Sequence, residues 1–81
     1  MNGYSHAIAV KQALTTEIER CMRREGLSKP RMARRMGASR SQLDRVLDPK
    51  CTTIPLEALV KAARAVGRKL EIRFHSRPPG R

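Results

Sequence analysis

Apolar residues recur in this chain with two different periods. Ala7, Val10, Leu14, Ile18, Cys21 and Met22 step by threes and fours, the spacing that gathers side chains on one face of a helix. The stripe predicts an amphipathic helix running to Glu25, with Gly26 just past its last turn. Two starts compete: Thr16-x-x-Glu19 fits a late capping box, while the stripe before it favours a beginning near Ala7. Met32 and Met36 flank Ala33 one turn apart and read as core rather than as an adaptable binding surface. Leu56, Leu59, Val60, Ala63 and Val66 form a further stripe, opened by Pro55 and closed by Gly67. The period then changes to two. Leu70, Ile72 and Phe74 alternate with Lys69, Glu71 and Arg73, which predicts a strand over 69–74. A lone strand leaves its backbone groups unpaired. Two chains are therefore expected to pair there as an antiparallel ribbon, with Leu70, Ile72 and Phe74 as the dimerisation residues.

Between the first and last stripes lies SKPRMARRMGASRSQLDRVLD, residues 28–48. Counted from Lys29, Ala33 stands at five, Gly37 at nine, Leu43 at fifteen and Val46 at eighteen. This pattern suits two short helices locked at a tight corner. Ala33 leaves room for a close crossing, Gly37 can take a positive φ at no steric cost, and Leu43 and Val46 point inward. Ser28 is placed to cap the first helix, with Pro30 in its first turn. Ser39 to Gln42 reads as a capping box for the second, flanked by an Ala38–Leu43 staple. An ordinary αα-corner in a small bundle also needs the glycine, but not Ala33, the Ser39 cap and a basic exposed face as well.

At these residues the chain resembles the helix-turn-helix of Xre/Cro-type phage repressors and antitoxins. The resemblance covers residues 13–74 and extends to LDRVLDPK and to LEALVKAARAVGRKLEIRF, which looks like the last helix and strand of small HigA-type antitoxin-like regulators. It implies a mainly α, compact four-helix, phage-repressor-like domain with one C-terminal β-strand. One domain is expected over 1–75, with helices at about 7–25, 29–36, 40–47 and 55–66 and the strand at 69–74. The end, SRPPGR at 76–81, is expected to be a disordered basic tail. In that family the second corner helix enters the major groove by its N-terminal end while the first crosses the phosphate backbone. The positions matching its base-reading residues are Arg40, Ser41 and Arg45; Lys29, Arg31, Ser39 and Lys50 are the phosphate candidates. Many members carry Gln where this chain has Lys29, which exchanges a shaped amide for a point charge. Asp44 has two readings, a cytosine acceptor or an ion-pair partner holding Arg40 or Arg45.

Charge supports a polyanionic partner. Eighteen Lys and Arg against seven Asp and Glu give a net +11, and nine of the basic residues, Arg20, Arg23, Arg24, Lys29, Arg31, Arg34, Arg35, Arg40 and Arg45, crowd the corner region. Arg predominates there, which suits bidentate contacts better than a surface tuned for solubility. Tyr4 and Phe74 are the only aromatics, too few for a platform on which single-stranded bases stack. A chain of 81 residues has a marginal core, which favours a dimer.

Double-stranded DNA with a palindromic operator is thus the expected partner of a homodimeric transcriptional regulator, an antitoxin-like autorepressor by resemblance. The competing reading is an interaction module that neutralises a toxin or other protein, with DNA binding secondary; a basic membrane or RNA binder is a third, for which the capped corner is superfluous. The expected setting is cytoplasmic, since no run is apolar enough to span a membrane and the start lacks a signal-peptide pattern. No enzyme and no cofactor are expected, because the chain carries no nucleophile set, paired carboxylates or glycine-rich phosphate loop. No metal is expected either: a zinc site would have to join Cys21 and Cys51 to His6 and His75 at opposite ends of the chain. Cys21, on the core stripe, reads as a packing residue.

Overall fold

The computed structural model describes residues 3–74; the tail expected at 76–81 lies outside them. Four helices follow in order: α1 (Gly3–Glu25), α2 (Lys29–Met36), α3 (Arg40–Val46) and α4 (Leu56–Ala65). The apolar stripe, not the Thr16 box, sets the first helix, which begins at Gly3 rather than Ala7 and runs unbroken through Thr16. The other helices agree with the sequence expectation to within one residue at each end, Leu47 and Val66 being C-caps and Pro55 an N-cap.

The corner is built as its residues dictate. Ser28 Oγ accepts from the Arg31 N–H at 3.4 Å, and Ser39 Oγ from the Gln42 N–H at 3.1 Å, so each helix begins on a side-chain cap. Gly37 takes φ 66°, ψ 34°. Its N–H donates to the Arg34 carbonyl at 3.1 Å, and that of Ala38 to the Ala33 carbonyl at 3.0 Å. These two bonds make the paired closure that ends a helix on a left-handed residue. A β-carbon at Gly37 would meet nothing within 4 Å, so the backbone angle, and not a clash, demands glycine there.

Packing centres on α2. Met32, Leu43 and Val46 are fully buried, and Met36, Ala33, Leu27, Ile18, Cys21 and Met22 close around them; Met32, Met36 and Cys21 are thus core residues. In α4 the inward face is turned from the one the stripe suggested. Ala58, Ala62, Ala63 and Val66 are buried, Leu59 and Val60 are half-buried, and Leu56 is exposed. Small residues let α2 and α4 approach closely, and the larger ones are left at the rim.

The C-terminal strand is not formed: among the described residues there is no strand, and 68–74 lies outside regular structure. The reason is the one that made it conspicuous. A strand exists only through its ladder, and the single chain has no second edge to offer.

Gly37→Val should destabilise the fold by about 1–3 kcal/mol through its positive φ, and Gly37→Asn by clearly less. Ala33→Leu should cost about 1–3 kcal/mol by overpacking the helix crossing. Urea denaturation measures all three; midpoints unchanged in Gly37→Val and Ala33→Leu would refute the corner described here.

Candidate nucleic-acid interface

The basic corner residues divide into free and engaged. Arg40 and Ser41 occupy the first turn of α3 and are exposed; among the described residues, neither side chain has a hydrogen-bond or ion-pair partner. Lys29 and Arg31 lie exposed in the first turn of α2. Neither first turn contains an acidic residue, so the positive ends of both helix dipoles stay uncompensated. Ser39 uses its hydroxyl as the α3 cap. Lys50 is exposed on the loop after α3, and its N–H donates to Asp48 Oδ1 at 3.0 Å in an Asx turn.

Arg45 is placed differently. It sits in the last turn of α3, where Nη2 donates to the Thr53 carbonyl at 3.5 Å, and its guanidinium beside Cys51 holds that thiol below the usual thiol range. Its fork therefore faces the loop at 51–53, while Arg40 has no such tether. Asp44 is exposed and, among the described residues, forms no salt bridge, so the expected hold on Arg40 or Arg45 is not made. Arg35 belongs to the scaffold: Nη1 donates to Glu25 Oε1 at 3.0 Å and to the Ala65 carbonyl at 3.1 Å, joining the ends of α1 and α4.

What holds α3 in place comes from α1. Lys11 is only 4% exposed, and its ammonium donates to the carbonyls of Arg45 at 2.9 Å, Asp48 at 2.8 Å and Cys51 at 2.8 Å. All three donors of the ammonium are used. Thr15, one turn on, donates Oγ1–H to the Val46 carbonyl at 3.3 Å. These carbonyls lie at and just beyond the end of α3, where a helix has unsatisfied acceptors and the negative end of its dipole. Burial pushes the Lys11 amine below the usual lysine value, against the pull of Cys51 and Asp48. α3 thus has its C-terminal end pinned on a buried cation and its N-terminal turn presented to solvent.

A family model described as a helix-turn-helix domain matches residues 2–75. The chain belongs to this helix-turn-helix DNA-binding family. Comparison with curated proteins and with solved structures returned no match.

In this helix-turn-helix protein the fold brings the α2 and α3 candidates onto one corner and leaves Leu70, Ile72 and Phe74 on a separate segment. Sequence reasoning passed over Lys11 and Thr15, and counted Arg35 among the basic residues of the corner without its scaffold role. A signal for the first two was present: Lys11 and Thr15 are four apart and interleave with Ala7, Leu14 and Ile18 on the apolar face, where an unpaired lysine could not be buried. Among the described residues no group of His, Cys, Asp and Glu could hold a metal ion, and none of the helices is long and apolar enough to cross a membrane.

Lys11→Met keeps the bulk of the side chain but strips three carbonyls of their donor, and should cost about 2–3 kcal/mol in urea denaturation. Lys29→Met, on an exposed side chain, should stay within about 0.5 kcal/mol. Equal midpoints for the two variants would contradict the buried cradle.

Proposed function

We propose that this protein is a sequence-specific double-stranded DNA-binding transcriptional regulator that acts as a homodimer on a palindromic operator, in the manner of an antitoxin-like repressor of its own operon. The observation that carries the reading is the first turn of α3: capped by Ser39, free of acidic residues, and exposing Arg40 and Ser41 on a helix held rigidly from behind. A guanidinium fork so presented matches guanine O6 and N7. Lys29, Arg31 and Lys50 supply phosphate contacts, which set register and provide much of the affinity without reading sequence. Arg45 is the second base reader, and to serve as one it exchanges its Thr53 carbonyl for a base edge.

The antitoxin role extends the family resemblance of the last helix and segment, and a small toxin-like reading frame beside this one would support it. One observation favours the alternative, an interaction module that neutralises a partner protein: Ile72 and Phe74 stand exposed, 64% and 97%, with no covering element from this chain among the described residues.

A preferred duplex selected from a random pool tests the proposal. By fluorescence anisotropy at fixed salt, Arg40→Ala should lose about 1–3 kcal/mol on that duplex and little on random DNA. Lys29→Ala should weaken both alike and lower the salt slope by about one. Equal losses for Arg40→Ala on selected and random duplexes would reduce Arg40 to a phosphate contact, and the absence of any preferred duplex would remove the regulator reading.

A further inference from the structure

The end of the described chain and the groove beside it are complementary parts of one surface. Glu71 Oε2 lies 3.7 Å from Lys69 Nζ and Glu71 Oε1 lies 3.5 Å from Arg73 Nη2. Side chains two residues apart meet in this way when they leave an extended backbone on the same side. Lys69, Glu71 and Arg73 therefore share one face, and Leu70, Ile72 and Phe74 the other. Leu70 is half-buried and walls a largely apolar groove of about 310 Å³, together with Leu14, Ile18, Leu59 and Val66, with Glu17, Arg68 and Lys69 also lining it. Four residues on, the chain's single phenylalanine is almost wholly exposed. Phe74 does not line this groove and stands in solvent.

We infer that the groove receives Phe74 from a second copy of this chain, delivered by antiparallel pairing of the two 69–74 segments about a two-fold axis at Ile72. Charge and the apolar face together select this register. With the axis at Ile72, residues equidistant from it face each other, so Glu71 meets the partner's Arg73 and Arg73 meets the partner's Glu71. An axis at Glu71 would set that carboxylate against its own copy and Lys69 against the partner's Arg73. An axis at Arg73 would oppose two guanidinium groups. An axis at Leu70 would place Ile72 against the partner's Arg68 and carry Phe74 beyond the ladder. Opposite charges across a ladder stabilise it and like charges oppose it, so only the Ile72 axis satisfies both faces of the segment. In that register the partner's Phe74 stands directly opposite Leu70, on the apolar face, at the wall of the groove. Burying an aromatic ring in each of two symmetric grooves adds apolar area beyond the backbone ladder itself.

The inference deepens the homodimer named under the proposed function. Its tests contain no DNA, so a failure here and a failure of operator recognition are distinguishable. The chain has no tryptophan, and Phe74→Trp would place a single reporter at the position in question. As protein concentration rises, sedimentation should show a dimer and the emission should shift to the blue in step with it. Glu71→Arg should weaken dimerisation about tenfold or more, since two attractive cross-strand pairs become repulsive, and Glu71→Arg combined with Arg73→Glu should restore it. Positions 71, 73 and 74 are exposed, so these variants leave the core intact. Four results would each overturn the inference: a monomer with water-exposed emission up to high micromolar concentration, blue emission at every concentration as the chain covers its own groove, a dimer indifferent to Glu71→Arg, or a groove that closes only around a different protein.

Discussion

The left-handed turn at Gly37 is the constraint on which the remainder of the structure rests. With φ at 66° there, the backbone turns at Gly37 and Ala38, and α3 packs on α2 closely enough for Met32, Leu43 and Val46 to become fully buried. A wider turn would separate these side chains and leave a domain of this size without a shared core. The same turn decides what faces outward. Once Leu43 and Val46 are committed to the interior, Arg40, Ser41 and Asp44 have only the solvent side of α3.

A seven-residue helix is too short to hold its own shape in water, so α3 depends on groups at both its ends. At the front, the Ser39 hydroxyl receives one of the free N–H groups. At the back, Lys11 and Thr15 of α1 satisfy the last carbonyls and those of the following loop. The division is useful for a DNA-binding helix. Its structural support is buried and lies at the C-terminal end, and the exposed side chains proposed to meet DNA stand at the N-terminal end, so the two sets of residues do not compete. Arg45 stands between them: it belongs to the outer face, yet it leans on the loop that Lys11 organises.

Arginine serves two purposes in this fold. Arg35 joins Glu25 to the end of α4, and Arg68 meets Glu17, whose carboxyl is held below the usual range chiefly by the hydrogen bond from Arg20. These residues add to the positive field that draws a polyanion, but their hydrogen-bonding groups face protein. Net charge identifies the class of partner; the local partners of each guanidinium decide which of them can read it.

The corner was legible in the sequence because its determinants are local. A capping serine, a glycine at the turn and small or apolar residues at fixed offsets act over one or two helical turns, and no distant contact is needed to recognise them. The free arginine of α3 was legible for the same reason. Tertiary structure alone decided the matters that rest on long-range contact. It selected Ala58 and Ala62 over Leu56 for the inner face of α4, beside the Ala63 that the stripe already contained, because the approach of α2 favours small side chains. It turned Lys11 from an unexplained charge on an apolar stripe into the clamp of α3, joining residues 34, 37 and 40 positions apart. It tied Arg45 to Thr53. It left 69–74 without a ladder, since alternation specifies which face of a segment is apolar, whereas a strand comes into being only when another edge supplies its hydrogen bonds.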